Sequence, residues 1–381
     1  MRVMIIGASA DWSTRDTERG YVDAFEALGH HVILYSLNNR FKAIAEWLSV
    51  LRDGYRCREC GVMALEPREA FAHVHDITAV EQASEASAYI ALMQNADLVV
   101  VISGGLFHAN AVVAMRRAGI PVVTVLTESP YQDEGQRILT GVATLATTNE
   151  RRSVDILHET PNMLIADPRV GGPHLAHVMY GPPAYNPNVN KPTDPEPDKV
   201  CDVVLVGTGF QERVDLLCGV NWEGINLRLI GYWKDPPEAI ARYVWSGPID
   251  NAEAMAWYAS AKIVLNTHRS ISDGMVAESI GPRVYETAAL GAFQLCDDSR
   301  AELNEIFGAS VPTFKAHNPE SLEISIRSAL SMTDAERHVY TQVAQQVTFH
   351  HTYRNRVSAM LTKLEQLGAI KVDPIPEEVS A

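Results

Sequence analysis

The sequence predicts an α/β protein of two doubly wound, Rossmann-like domains. Three observations carry that expectation. The chain opens with an apolar strand, Val3–Gly7, a small-residue loop, an amphipathic helix over 17–28 and a second strand, His31–Tyr35. The same order restarts at Cys201–Val206, where an apolar strand runs into Gly207-Thr-Gly-Phe210 and a helix. Between the two blocks lie five prolines from 182 to 195 and another at 197, in a stretch that suits neither helix nor central strand. A chain of 381 residues is also too long for one core of ordinary size. The expected boundaries are a first domain over 1–182, a proline-rich linker over 183–199, a second domain over 200–349 and a tail over 369–381.

In the first domain, Tyr21, Phe25 and Leu28 share one face of the opening helix, and Gly29 stops it. The loop at Gly7 lacks the full G-x-G-x-x-G, so no dinucleotide fingerprint is read; it is either a tight turn or a ligand-facing loop. Residues 38–96 read as mostly helical, with an irregular centre from Asp53 to Pro67. Asp97–Ile102 is the next strand, followed by a Gly-Gly loop from Ser103 to Asn110. Ligands of open α/β sheets bind beyond the carboxyl ends of strands, which makes Ser103 and His108 contact candidates. The plainer reading of His108 is a helix-start residue with a local hydrogen bond. A helix over 111–118 leads to the strand Ile120–Leu126 and then to Thr127-Glu-Ser-Pro-Tyr131. Glu128 is the acid there best placed for acid–base work; a capping carboxylate is the alternative. A strand over 142–146, a helix start over 147–153 and Val178–Tyr180 close the domain.

In the second domain, Gly207, Thr208 and Gly209 precede a helix with Arg213 near its start. A glycine loop at a helix N-terminus with a nearby guanidinium is a phosphate cradle; a surface arginine is the alternative. The strand Leu227–Gly231 ends beside Tyr232 and Trp233. An amphipathic helix over 251–260 leads to a strand ending at Asn266, a polar contact candidate, and then to Thr267-His-Arg269. The stretch Glu278 to Cys296 follows. Gly281, Pro282 and Arg283 form a loop, 284–290 a helix that Gly291 stops, and 292–295 a strand. The helix start offers unpaired N–H groups and a positive dipole end, Arg283 adds a cation, and Glu286 sits where it can accept from a ribose. Glu278 and Glu286 bracket that point. Together these residues, with the backbone at Gly281, Val284 and Tyr285, read as a nucleotide-diphosphate site. Helices over 303–307, 321–331 and 334–347 precede a last helix that opens at His350-His-Thr-Tyr-Arg354, with both histidines packing at its start.

Composition sets limits. Apolar content of 46% and charged content of 21% are globular values, and the formal net charge is −15. That balance argues against a protein that holds nucleic acid mainly through phosphates. No apolar run reaches the length of a membrane span and the N-terminus enters a strand directly, so a cytoplasmic protein is expected. The five cysteines lack a framework spacing, which suggests reduced thiols. Cys57 and Cys60 form a lone C-x-x-C, read as two free thiols with part of a zinc site as the alternative, and Asp297-Asp298 lacks a D-x-D context; no metal is expected.

Three segments resemble the spore-maturation-type glycosyltransferases, a group with the GT-B fold related to retaining enzymes with a Glu-x7-Glu signature. They are Ala261-Lys-Ile-Val-Leu-Asn266, Pro282-Arg-Val-Tyr-Glu286 with Gly291-Ala-Phe, and His351-Thr-Tyr-Arg354. The resemblance covers about 200–365 well and the first half only in outline. It implies two domains facing a cleft, with the last helix (350–368) packing back on the first domain. It implies a nucleotide-diphosphate sugar, UDP-linked, as substrate, with no other cofactor. Glu286 would hold the ribose, and Gly207, Thr208, Gly209, Arg213 and Arg283 the diphosphate. Glu278 would approach the sugar and Tyr232 the base, while Gly7 could approach the donor. Ser103, His108 and Glu128 would face a hydroxyl acceptor whose identity stays open, and transfer with retention is expected. Ser103 stands where many relatives place a histidine. Three other readings remain: a nucleotide-sugar 2-epimerase, a non-catalytic nucleotide-sugar-binding protein, and an enzyme acting on modified DNA bases, which would need Arg116, Arg117, Arg151 and Arg152 as a basic lining.

Overall fold

The computed structural model describes residues 1–7, 14–37, 39–40, 55–56, 63–64, 77–103, 107–127, 134–152, 154, 177–269 and 277–371. The chain forms two compact units, Met1–Gly181 with Val357–Ala381, and Pro182–Arg356.

The first unit contains β1 (Arg2–Gly7), α1 (Arg15–Ala27), β2 (His31–Ser36), the short pair β3 (Tyr55–Arg56) and β4 (Met63–Ala64), α2 (Ile77–Met93), β5 (Leu98–Ile102), α3 (Ala109–Arg117), β6 (Val122–Leu126), α4 (Glu134–Val142), β7 (Leu145–Thr148) and β8 (His177–Tyr180). Six strands form one sheet in the order β2-β1-β5-β6-β7-β8, and every pairing in it is parallel. A parallel sheet is covered on both faces, which is why β5 and β6 are apolar from end to end and wholly buried. Met4, Ile6, Val99, Val101, Val122, Met115 and Leu139 meet in the core. Strand order reverses between β1 and β5, and the carboxyl ends of these strands, Gly7 and Ile102, lie side by side. The strand expected over 142–146 starts later, because Val142 and Ala143 finish a helix whose last amide bonds back to Leu139.

The second unit contains β9 (Cys201–Val206), α5 (Gln211–Cys218), β10 (Leu227–Ile230), α6 (Glu238–Ala241), β11 (Val244–Ser246), α7 (Asn251–Ser260), β12 (Ala261–Asn266), α8 (Pro282–Leu290), β13 (Gln294–Asp297), α9 (Ala301–Phe307), β14 (Thr313–Phe314), α10 (Pro319–Ser331), α11 (Asp334–Thr348) and the start of α12 (Tyr353–Gln366). Its sheet runs β11-β10-β9-β12-β13-β14, also parallel, and reverses between β9 and β12. Both units are therefore doubly wound α/β folds, as the sequence predicts. Helix boundaries follow local chemistry. Pro282 opens α8, Gly291 in the left-handed region (φ 82°) closes it, and a Thr333–Glu336 capping box opens α11.

The proline-rich stretch packs against this unit instead of hanging free. Ala184, Tyr185, Asn186 and Asn190 are buried, Tyr185 bridges to Thr352, and the Asn190 side chain accepts from the Asn186 amide at 2.8 Å. Prolines exclude helix and ladder but leave the residues between them free to bury.

Candidate active site

The second unit brings most of the candidate residues to the carboxyl edge of its sheet, where β9 and β12 diverge. The loop after β9 is shaped by two close approaches and two backbone hydrogen bonds. Gly231 has φ 129°, and a Cβ there would stand 2.4 Å from the Gly207 carbonyl oxygen. A Cβ on Gly209 would stand 2.5 Å from the Trp233 ring. The Gly207 and Gly209 amides donate to Ile230 and Tyr232 at 2.8 and 2.9 Å. The loop therefore lies flat on the end of β10, and Phe210 begins α5 with no side-chain cap.

Arg213, in the first turn of α5, is 7% exposed. Its Nε donates to Thr267 Oγ1 at 2.6 Å, one terminal nitrogen to the Thr267 carbonyl at 2.9 Å and the other to the Thr208 carbonyl. All three acceptors are neutral oxygens. Arg283, at the start of α8, reaches the same place: a Cβ on Gly207 would lie 2.8 Å from an Arg283 terminal nitrogen and 3.0 Å from one of Arg213. Burial, and then the neighbouring Arg283 charge, pull the Arg213 guanidinium down to about 9. Two cations over one glycine, one of them desolvated, form a cradle suited to an anion.

The remaining groups surround that cradle. Gly281 precedes α8 with no side-chain cap, and a Cβ there would meet nothing within 4 Å. Glu286, half-buried, accepts from Asn251 Nδ2 at 3.2 Å. Tyr258 is buried and hydrogen-bonded to Arg283; burial pushes its phenol up to about 12, against the pull of that guanidinium. Glu278 is held by Glu302, whose amide donates to the Glu278 carbonyl at 3.1 Å while its carboxylate accepts from the Ile280 amide at 2.9 Å. Tyr232 is half-exposed beside the glycine loop. Asn251, Tyr258 and Glu302 escaped sequence reading. The signal for Tyr258 was a polar tip on the inward face of an amphipathic helix.

Three candidates turn inward. The Tyr285 side chain is fully buried, stacks on His351 at 4.9 Å between ring centres and contacts Phe307, so a ligand at α8 would meet its backbone and not its ring. Val284 is likewise core. Asn266 is 3% exposed and donates to Gln294 Oε1 at 2.6 Å, between strands, which removes it from the surface of the site. His351 packs as expected, with Arg356 2.9 Å from its Nδ1 and burial lowering it to about 4.

Beside Arg213 lies a pair that the sequence does not announce. Asp297 accepts from the His268 amide at 2.5 Å and lies 3.1 Å from His268 Nδ1, and Ser299 donates to it through its amide at 3.1 Å and through its hydroxyl. Burial alone would raise the Asp297 carboxyl; the bonds from His268 and Ser299 outweigh it and hold the group well below the usual range. Asp298 accepts from the Ala316 amide at 2.9 Å, so the two aspartates do not converge. Among the described residues no cluster of His, Cys, Asp and Glu is suited to a metal.

In the first unit Gly7 and Ser103 stand at neighbouring strand ends. Gly7 ends β1 beneath the Glu18 carboxylate, which occupies the space a Cβ would take. Burial raises the Glu18 carboxyl, opposed by Arg15. Ser103 follows β5 in the left-handed region (φ 68°). His108 is the N-cap of α3, its Nδ1 accepting from Asn110 at 3.3 Å and its amide donating to Ser84 at 2.9 Å, which is the plainer of its two readings. Arg116 is spent on the Val142 carbonyl at 2.6 Å. Glu128, Cys57 and Cys60 lie outside the described residues, and among the described residues no helix is long and apolar enough to cross a membrane.

Known proteins share this architecture. Sucrose-phosphate synthase from Thermosynechococcus elongatus superposes with a TM-score of 0.60 at 12% identity, over 97% of this chain and 99% of that one. The chain has the GT-B fold. An E. coli trehalose-6-phosphate structure bound with UDP-2-fluoro glucose gives 0.60 at 10% identity (96% and 99% covered). An α,α-trehalose 6-phosphate synthase from Burkholderia multivorans gives 0.58 at 11% (97% of each). Residues 213–362 match the model of a family described as glycosyl transferase-like. No curated protein matches the chain in sequence. The domain match supports glycosyltransferase activity, on a fold that the structures above share.

Proposed function

We propose that this enzyme moves a glycosyl group from a UDP-linked sugar to an acceptor hydroxyl, with retention and without a metal, in the cytoplasm. The observation that carries the reading is Arg213: a buried guanidinium, bonded only to neutral oxygens, set beside Arg283 over Gly207. Such a pair suits a diphosphate, whose oxygens would complete the charge-assisted bonds. In this reading the leaving diphosphate rests on Arg213, Arg283 and the uncapped N-terminus of α8. These donors are in place before reaction, so they stabilise the charge that develops as the glycosidic bond breaks. Glu286 takes the ribose hydroxyls, oriented by Asn251. Glu278, fixed through Glu302, faces the sugar. The spore-maturation-type resemblance supports these roles, and the UDP-2-fluoro glucose of the E. coli protein supports the donor class.

The test is a thermal-shift panel of nucleotides and nucleotide sugars. A ligand at about 100 times its dissociation constant stabilises by roughly 2.7 kcal/mol. One nucleotide sugar should shift the wild type and leave Glu286→Ala unmoved. No shift with any nucleotide would sink the donor reading. Steady sugar isomerisation with no acceptor present would make the protein an epimerase, and binding without turnover would make it a non-catalytic receptor.

A further inference from the structure

The first unit holds a carboxylate that its fold leaves unused. Glu18 lies one turn into α1, half-buried, and its side chain covers the end of β1, where a Cβ on Gly7 would stand 2.5 Å from its Cδ. Among the described residues no hydrogen bond or ion pair reaches that carboxylate, and Arg15 is the charge that acts on it. Helix α1 packs on β1 and β2, whose charged side chains, Arg2 and His31, stand at the opposite ends of those strands. The start of α1 is open as well. Its N-cap, Thr14, is 8% exposed, and the Thr14 hydroxyl caps no amide and has no partner. The Glu18 amide donates to the Thr14 carbonyl at 2.9 Å, so the two side chains lie one turn apart on one face. At the neighbouring strand end Gly7 pairs with Ile102, and Ser103 follows in the left-handed region (φ 68°).

We propose that the end of β1 is a saccharide subsite, in which Glu18 takes two vicinal hydroxyls of a neutral sugar, with Thr14 and Ser103 beside it. Each carboxylate oxygen can accept one hydroxyl proton, and the uncapped first turn of α1 can donate to the same hydroxyls. A hydroxyl meets both demands, because it donates and accepts. A phosphate would face the Glu18 carboxylate, and Asp16 in the same turn adds a second negative charge. A metal ion would need further ligands, and among the described residues no cluster supplies them. A half-buried carboxylate without a bond is costly to hold, and a bound hydroxyl pair supplies the missing bonds. The inference deepens the proposed function, and it rests on that reading only in calling the sugar an acceptor.

The experiment is a saturation-transfer NMR titration of the full chain with the methyl α-glycosides of glucose, mannose and galactose, with no nucleotide present. At least one should bind, and Glu18→Gln and Glu18→Ala should each weaken it about tenfold or more. Glu18→Gln keeps the shape and sheds a charge that burial disfavours, so it folds at least as well, and a loss of sugar is not a loss of structure. Asp16→Asn removes the same charge from the same turn and should change the affinity less than about twofold. Wild-type affinity should fall as pH drops from 7 to 4, where Glu18 takes up its proton, and should stay flat in Glu18→Gln. The proposal is overturned if no glycoside binds, if binding ignores Glu18 or depends equally on Asp16, or if the wild-type profile is flat in pH. It is also overturned if protonated glucosamine binds about tenfold better than the glucoside, which would make the carboxylate a cation site. UDP titrated separately reads the donor site: failure there sinks the donor reading and leaves the sugar titration standing.

Discussion

Replacing Arg213 by Met should leave the ligand-free protein at least as stable while stripping it of nucleotide. The guanidinium is buried and falls to about 9 from its ordinary value. At 1.36 kcal/mol per tenfold, that drop amounts to about 5 kcal/mol of penalty on the charged form. Methionine fills similar space without charge. Against the relief stand the Thr208 and Thr267 oxygens left without donors, about 1 kcal/mol for each of three bonds. The difference is about 2 kcal/mol in favour of the variant, or about 4–8 °C in melting temperature for a domain of 150–250 residues. The loss on the ligand side is one or two charge-assisted bonds to phosphate, about 1.5–3 kcal/mol each, so nucleotide affinity should drop by about 10-fold to 150-fold per bond. Differential scanning calorimetry of both proteins, with and without UDP, reads both numbers. A variant that melts well below the wild type would refute the reasoning, because the guanidinium would then be a structural tie and not a charge waiting for its partner. Unchanged nucleotide affinity would refute it from the other side.

Three further outcomes follow from the same geometry. Gly231→Ala should cost more than about 3 kcal/mol in urea unfolding, since its Cβ would meet backbone at 2.4 Å in a left-handed conformation, and it should also disturb the glycine loop; a cost below about 1 kcal/mol would show that the loop yields. Asp297→Asn should destabilise at neutral pH, and the gap from wild type should close as pH falls below about 4: the carboxyl sits well below its unfolded value when folded, so its contribution is present above that value and lost on acidification. A gap that is flat in pH from 7 to 3 would contradict this. Glu18→Gln has the opposite sign, because burial raises that carboxyl; it should raise the melting temperature at pH 7 and lose the gain near pH 4.

The strands and glycine loops were legible because they obey one-dimensional rules. A parallel strand covered on both faces is an apolar run, and β5, β6 and β12 announce themselves in that way. Arg213, Arg283 and Glu286 were legible because each lies within a turn or so of a helix start, where a phosphate or ribose can be argued from spacing alone. Tyr285 could have been placed inward too: it is flanked in the helical period by Val284, Ala288 and Ala289, all buried. The His268–Asp297 pair could not be read. It joins residues 29 apart, and it exists because β12 and β13 pair in a register that sets Asn266 opposite Cys296, which brings the segments beyond both strands together. Composition does not encode that register. Glu18 left a trace: three and seven residues before Tyr21 and Phe25, it is an acid on the apolar face of α1.

The two sheets share a topology of divergence and differ in the charge placed at it. At the β1–β5 divergence stand Glu18, over Gly7, and Ser103. At the β9–β12 divergence stand Arg213 and Arg283, over Gly207. A glycine serves both places for the same reason, because a missing Cβ lets a functional side chain approach the strand end. A carboxylate there suits hydroxyl groups, which it can accept from, and guanidinium groups suit phosphate, which they can donate to. In a chain of net charge −15, the second arrangement is costly to hold: a buried cation with a second one beside it is bonded to neutral oxygens, and the nearby Glu212 and Asp297 charges offset only part of its desolvation. Folding would select against such a group unless its partner arrives later. Since the cost is met when the protein folds, none of it is charged to the bound state, and the donors are already aimed when phosphate charge appears. Under the proposed function, that is the physical reason for departure of the diphosphate to belong to the second unit and recognition of a hydroxyl to the first.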